Sequence, residues 1–256
     1  MLVVIAVLNS KGGVGKTTTA VNLAAALATP RRRVLLLDLD SQASASLWCG
    51  VARARLEPSS ADCLLHDYPV SRAVRVTQTR NLDLVTGSVE LASADLALCA
   101  TPGRERVLRK ALDSVRTEYD AIVLDCPPSF SLVGVNALMA ADAFLVPVIP
   151  QHIAIEALAG LLSTVEHARE RLGIGARLLG ILLLMIGQRA STETRRLRVE
   201  HRDHAFHTEI PASRALAQAP ATAQTIFQVA PRSPAADAFT RLAVETRRRL
   251  RYLKNA

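Results

Sequence analysis

One short stretch, Lys11-Gly12-Gly13-Val14-Gly15-Lys16-Thr17-Thr18, restricts what this chain can fold into more than any other. An apolar run of strand length, Leu2 to Leu8, precedes it, and Thr17–Ala28 follows with apolar residues at helical spacing. Glycines let successive backbone N–H groups converge on one anion, and the helix behind them adds its positive N-terminal end. In such a loop Lys16 reaches the β- and γ-phosphates of a nucleotide, and the Thr17 hydroxyl helps to hold Mg²⁺. The motif requires a strand before and a helix after, and both are present here.

Apolar β-rich runs alternate with helical stretches along the rest of the chain. This pattern predicts an α/β fold with a mostly parallel, twisted sheet and helices on both faces. Strands are expected at Leu2–Leu8, Val34–Asp38, Leu82–Thr86, Ala121–Asp125, Ala143–Val148, Leu179–Met185 and Phe206–Ile210. Helices are expected at Thr17–Ala28, Arg104–Arg116, Ser131–Ala141, Ile153–Leu172, Thr192–Asp203 and Pro234–Leu253. Residues 41–80 are the least periodic and have room for short helices. At 256 residues the simplest organisation is one domain over 1–256. The glycine loop starts at residue 11, which leaves no space for an N-terminal helix-turn-helix domain.

Ligands in such sheets bind beyond the carboxyl ends of the strands. Three acidic positions fall there: Asp38 and Asp40 at the end of the second strand, and Asp125 after Ala121-Ile122-Val123-Leu124. Mg²⁺ keeps most of its waters and needs few protein ligands, so one hydroxyl and one carboxylate suffice.

Lysine usage narrows the reading further. The chain has four lysines against 27 arginines, yet two of the four, Lys11 and Lys16, stand in one loop. A compact ammonium fits among phosphate oxygens where a planar guanidinium does not. The loop Lys11–Thr18 resembles the deviant Walker A loop of the ParA/MinD family of P-loop ATPases, and of its ParA/Soj-type partition members in particular. Asp38-Leu39-Asp40-Ser41-Gln42 and Asp125-Cys126-Pro127-Pro128 are similar to that family's switch and Walker B segments. Further likeness runs through Asn136-Ala137-Leu138, Val146-Pro147-Val148, Ile210-Pro211 and Ala219-Pro220, so it covers nearly the whole chain. Ser41 stands where the family has proline, and Ala43-Ser44-Ala45-Ser46 replaces its G-N-A-T continuation.

The resemblance implies an ATPase using ATP and Mg²⁺, with slow, partner-stimulated turnover. Lys11, Lys16 and Asp40 would be catalytic, Lys11 reaching into a partner subunit's nucleotide site and Asp40 orienting the attacking water. Residues Lys11, Gly12, Gly13, Val14, Gly15, Lys16, Thr17 and Thr18 would bind the nucleotide, with Met185 and Pro211 beside the adenine. Thr17, Asp38 and Asp125 would form the metal shell. Phosphoryl transfer needs positioning and charge neutralisation more than covalent help, and this set is sufficient for it.

Charge is uneven. Residues 1–150 carry 15 basic against 14 acidic side chains, and residues 151–256 carry 16 against 9. An excess confined to one half suits a polyanion. Relatives of this kind bind DNA non-specifically as ATP-bound dimers and position a plasmid, chromosome or other cargo through a ParB-like adaptor. By the same resemblance Arg189, Arg195, Arg196, Arg198 and Arg214 are the expected DNA contacts, with Arg247, Arg248, Arg249, Arg251 and Lys254 as a further cluster.

Other readings find less support. A MinD-like membrane association needs a strongly apolar terminal helix face, and the tail from Leu250 to Ala256 is mostly charged or polar. A metallocluster carrier needs dimer-bridging cysteines, and Cys49, Cys63, Cys99 and Cys126 show no such pattern. A degenerate scaffold would not keep Lys11, Lys16, Thr17, Asp40 and Asp125 together. The run Leu178–Gly187 is too short to span a bilayer, and Met1–Leu8 lacks the features of a signal peptide. Reduced thiols in a cytoplasmic, nucleoid-associated protein are therefore expected.

Overall fold

Runs of four or five aliphatic residues in β1, β2 and β5, buried on both faces, build the centre of the sheet. The computed structural model describes residues 2–187 and 191–255. In it the strands are β1 (Val3–Val7), β2 (Val34–Asp38), β3 (Arg75–Val76), β4 (Leu82–Val85), β5 (Ala121–Asp125), β6 (Ala143–Val148), β7 (Arg177–Ile186) and β8 (Ile210–Pro211). They join in the order β3-β4-β2-β5-β1-β6-β7-β8. Every pair is parallel except β3 with β4. The expected mostly parallel sheet is the one observed.

Alternate residues of each strand feed different cores. Val4, Ala6, Leu35, Leu37, Ile122 and Leu124 face one layer, with Val133, Ala137 and Leu138 from the helix Leu132–Ala140. Ile5, Val7, Leu36 and Val123 face the other, with Leu23 and Ala24 from the helix Lys16–Leu27 and Phe239 and Leu242 from the helix Pro234–Asn255. Burying a side chain such as Leu23 or Phe239 stabilises the fold by roughly 1.5–3 kcal/mol.

Two expected elements differ, and in both a buried polar side chain takes over backbone partners. The stretch Arg104–Arg116 is not one helix but two 3₁₀ turns, Arg104–Arg106 and Leu112–Val115, around a short α-helix, Val107–Ala111. Asn136 accepts from the Leu108 amide at 3.1 Å and donates to the Arg104 carbonyl at 2.7 Å. The strand expected at Phe206–Ile210 is reduced to Ile210–Pro211, with one isolated bridge between Ile181 and Ala205. Between them Glu245, from the last helix, accepts the amides of His207 and Thr208, both at 2.9 Å. The segment 41–80 holds short helices at Ser44–Trp48, Ser60–Leu65 and Val70–Ala73, besides the edge strand β3.

Register sets up the site. Asp125 lies opposite Asp38 on one side and Val7 on the other, so three strand ends stop at one level. The chain leaves β1 towards β2 on one side of it, while β6 pairs on the other. A crevice opens where the strand order diverges in this way.

Candidate nucleotide site

The glycine loop follows Val7 and feeds straight into the helix Lys16–Leu27. Gly15 is that helix's N-cap at φ 87°, and a Cβ there would stand 2.8 Å from Leu184 Cδ2. Only glycine fits both constraints. The helix has no side-chain cap and no acidic residue in its first turn. Its leading amides are thus left for an anion from outside the chain.

These residues border a cleft of about 640 Å³, lined by Gly12, Gly13, Gly15, Lys16, Thr17 and Thr18 on one side. Asp40, Ser44, Leu47, Trp48, Pro128, Met185, Pro220 and Ala221 complete it. The volume is of the size that small-molecule ligands occupy, which is about 300–1,000 Å³. Lys16 is buried, and its Nζ donates to the Lys11 carbonyl at 2.9 Å. Burial lowers its pKa, and Asp125 and Asp40 only partly offset that. A phosphate bound beside it favours the charged form.

At the floor lies Asp125, fully buried, with neither carboxylate oxygen hydrogen-bonded. Burial, and then the charge of Asp38, push its carboxyl well above the ordinary carboxylate range. The nearby Thr17 side chain and Lys16 pull the other way without cancelling this. An orphaned buried carboxylate is costly unless a cation meets it. Among the described residues no three His, Cys, Asp or Glu side chains form a metal cage. Mg²⁺ held largely by phosphates and water needs only one or two protein ligands, so Thr17 and Asp125 fit it.

Asp38 is held differently. Its Oδ2 accepts the amide and hydroxyl of Ser46 at 2.8 and 2.7 Å, and its Oδ1 accepts the Asp40 amide at 3.1 Å. Burial raises its carboxyl to about 6 against these three bonds. Asp38 therefore holds the segment from Asp40 to Ser46 from beneath. Asp40, half-exposed on the cleft wall, turns its Oδ1 to the Gln42 amide at 2.9 Å.

The remaining expected residues divide. Met185 lines the cleft, 57% exposed and at φ 57°. Val14 is buried beneath the loop. Lys11 is half-exposed and not part of the cleft wall. Pro211 is not on the wall either, because it pairs with Ile186 at the sheet edge; Pro220 and Ala221 stand at the cleft instead.

Of the expected DNA contacts, Arg189 lies outside the described residues. Arg195 and Arg214 are exposed. Arg196 and Arg198 are ion-paired, to Glu200 at 2.6 Å and to Glu209 at 2.7 Å. Arg249, from the C-terminal cluster, is a structural residue. It binds Glu245 at 2.9 Å, donates to the carbonyls of Leu179, His204 and Ala205, and stacks over Phe206 at 4.3 Å.

Sequence reasoning missed three features of the site. Gly87 donates its amide to Ser46 Oγ at 2.9 Å, and a Cβ on it would lie 2.6 Å from the Asp40 carbonyl. Ser46 ties Asp38 to that glycine. Trp48 Nε1 donates to the Gln224 carbonyl at 2.7 Å, joining the helix Ser44–Trp48 to the Pro220–Ala221 wall. Each joins segments distant in sequence, so no local spacing announces it.

Comparison with known proteins agrees with this geometry. A family profile described as an AAA domain matches residues 2–176. The sporulation initiation inhibitor protein Soj of Bacillus subtilis is 38% identical over 245 residues, spanning 94% of this chain and 97% of that protein. The chromosome-partitioning ATPase Soj of Thermus thermophilus is 43% identical over 255 residues, 96% of each chain. The crystal structure of cobyrinic acid a,c-diamide synthase from Mycobacterium smegmatis, with bound ADP and magnesium, superposes at TM-score 0.81 and 30% identity. It covers 95% of this chain and 93% of that one.

Proposed function

The chain belongs to the Soj/ParA family of partition ATPases, and from that membership we propose that it hydrolyses ATP with Mg²⁺ while positioning a DNA cargo. Two copies pair around bound ATP, and the pair holds duplex DNA through its phosphates. A cargo-bound adaptor of the ParB kind then stimulates hydrolysis and release. The cytoplasm, on the nucleoid, is the place for such a cycle.

The observation that carries this reading is Asp125. A fully buried carboxylate without a hydrogen bond, below a lysine and a glycine cradle, calls for a cation brought in with an anion. In this reading the amides of Gly12, Gly13 and Gly15 and of the helix's first turn receive the phosphates. Lys16 spans the β- and γ-oxygens, and Thr17 and Asp125 hold Mg²⁺, which offsets charge on the phosphates. Asp40 orients the water. Lys11, outside the wall of its own cleft, is left for the partner copy's nucleotide. Met185 and Trp48 flank the nucleoside.

Binding to non-specific duplex DNA, measured with ATP, with ADP and without nucleotide across a salt series, tests the proposal. Binding that needs ATP and weakens steeply with salt is expected. Absence of binding in every state, or equal binding in all three, would overturn it.

A further inference from the structure

A serine inside a helix usually turns its hydroxyl to water or to a carbonyl four residues back. Ser46, in the helix Ser44–Trp48, does neither. It is fully buried and donates its hydroxyl to Asp38 Oδ2 at 2.7 Å, at the end of β2. The same oxygen accepts the Gly87 amide at 2.9 Å, just past β4. The Ser46 amide also goes to Asp38 Oδ2, at 2.8 Å. One hydroxyl thus ties two strand ends to the short helix.

That tie leads to Asp40. With two donors from Ser46, Asp38 Oδ2 has both acceptor positions filled. Its other oxygen, Oδ1, accepts the Asp40 amide at 3.1 Å. The Asp38 main chain is held as well, because Ser60 Oγ donates to its carbonyl at 2.6 Å. Gly87 closes the remaining side: a Cβ there would lie 2.6 Å from the Asp40 carbonyl and 3.0 Å from Asp38 Oδ1. Asp40 stands on the cleft wall, and Ser46 lines no part of it.

We propose that Ser46 is a positioning residue for hydrolysis: acting through Asp38, it fixes where Asp40 stands, and it holds neither nucleotide nor metal. The proposal rests on the reading above in which Asp40 orients the attacking water. A reacting group misplaced by about 1 Å costs on the order of 100-fold in rate without loosening the ligand. Removing the hydroxyl also leaves the Gly87 amide without its acceptor, so binding has to be read beside rate.

Single-turnover ATP cleavage by Ser46→Ala is expected to fall by about 10- to 100-fold. Its affinity for ADP, titrated with and without Mg²⁺, stays within about threefold of the parent, which also shows that the variant is folded. Ser46→Thr keeps the hydroxyl, and threonine is the residue of the family's own G-N-A-T segment; it restores the rate. Ser46→Cys, close in volume but a weak donor, does not.

The decisive arm is a cycle with Asp40→Ala. A serine that works only through Asp40 has no carboxylate left to position there. Adding Ser46→Ala to Asp40→Ala is therefore expected to slow cleavage by less than about twofold more. Losses that multiply in the double variant overturn the proposal. So does parental cleavage by Ser46→Ala, or a fall in ADP affinity that matches the fall in rate. Any of these in a parent that cleaves ATP leaves the functional reading standing; a parent that cleaves no ATP overturns both.

Discussion

At the scale of single residues the proposed site divides into groups that act on the nucleotide and its attacking water and groups that hold a segment still. Asp40 belongs to the first. Asp40→Ala is expected to bind ATP within about threefold of the parent while hydrolysis falls by roughly 100-fold or more, the scale of a lost acid–base or positioning group. Single-turnover ATP cleavage checks it, and parental turnover would remove Asp40 from the mechanism. Gly87 belongs to the second. A methyl group there meets the Asp40 carbonyl at 2.6 Å, a backbone atom that cannot swing aside. Gly87→Ala is expected to lower kcat by about 10- to 100-fold with little change in ATP affinity, because it displaces the carboxylate proposed to orient the water and leaves the glycine loop in place. Unchanged kcat would show that the segment from Asp40 to Ser46 tolerates the shift. The glycine loop between β1 and the helix Lys16–Leu27 was legible in sequence because its residues are consecutive and its flanking elements are strongly patterned. Gly87, Ser46 and Trp48 were not legible, because their roles exist only after β2, β4 and the short helix Ser44–Trp48 come together.

The elements tell the same story of local and distant control. Strands β1, β2, β5 and β6 were read within one residue at each end, since continuous aliphatic runs closed by turn residues leave little choice. Arg104–Arg116 and Phe206–Ile210 were misread because Asn136 and Glu245, from other parts of the chain, intercept backbone groups that a helix or ladder would use. Glu245 also gives a measurable pH effect. Burial works against its charge, but the amides of His207 and Thr208 together with Arg249 outweigh that and hold its carboxyl below the ordinary range. A depressed carboxyl contributes stability above its unfolded value, near 4.3, and loses it as pH falls towards the folded value. Glu245→Ala is expected to cost about 3 kcal/mol at neutral pH, since it leaves Arg249 unpaired and two amides without acceptors. The deficit narrows below pH 4; urea unfolding at pH 7 and pH 3.5 reads both numbers, and an equal deficit at the two would exclude the ionised carboxylate as the source.

At the scale of the whole molecule, the parallel sheet gives the protein two chemically different ends. The carboxyl ends of β1, β2 and β5 carry the glycine loop and the carboxylates, and Arg32, Arg247 and Arg251 gather at their amino ends. Lys11 stands at the first end without joining the wall of its own cleft, and pairing of two copies is expected to depend on it. Sedimentation with ATP and Mg²⁺ should show a concentration-dependent dimer for the parent and a monomer for Lys11→Ala, with ATP affinity reduced less than about tenfold. A dimer that forms equally well in the variant would place the lysine outside the interface.

One residue of the cleft also makes the protein its own optical reporter. Trp48 is the single tryptophan of the chain, 4% exposed, on the cleft wall and tied through its indole N–H to Gln224. Indole emission from the whole molecule therefore originates at the join between the helix Ser44–Trp48 and the Pro220–Ala221 wall. Nucleotide entry, or parting of those two segments after hydrolysis, is expected to alter its intensity and colour, so each turnover can be followed in unlabelled protein.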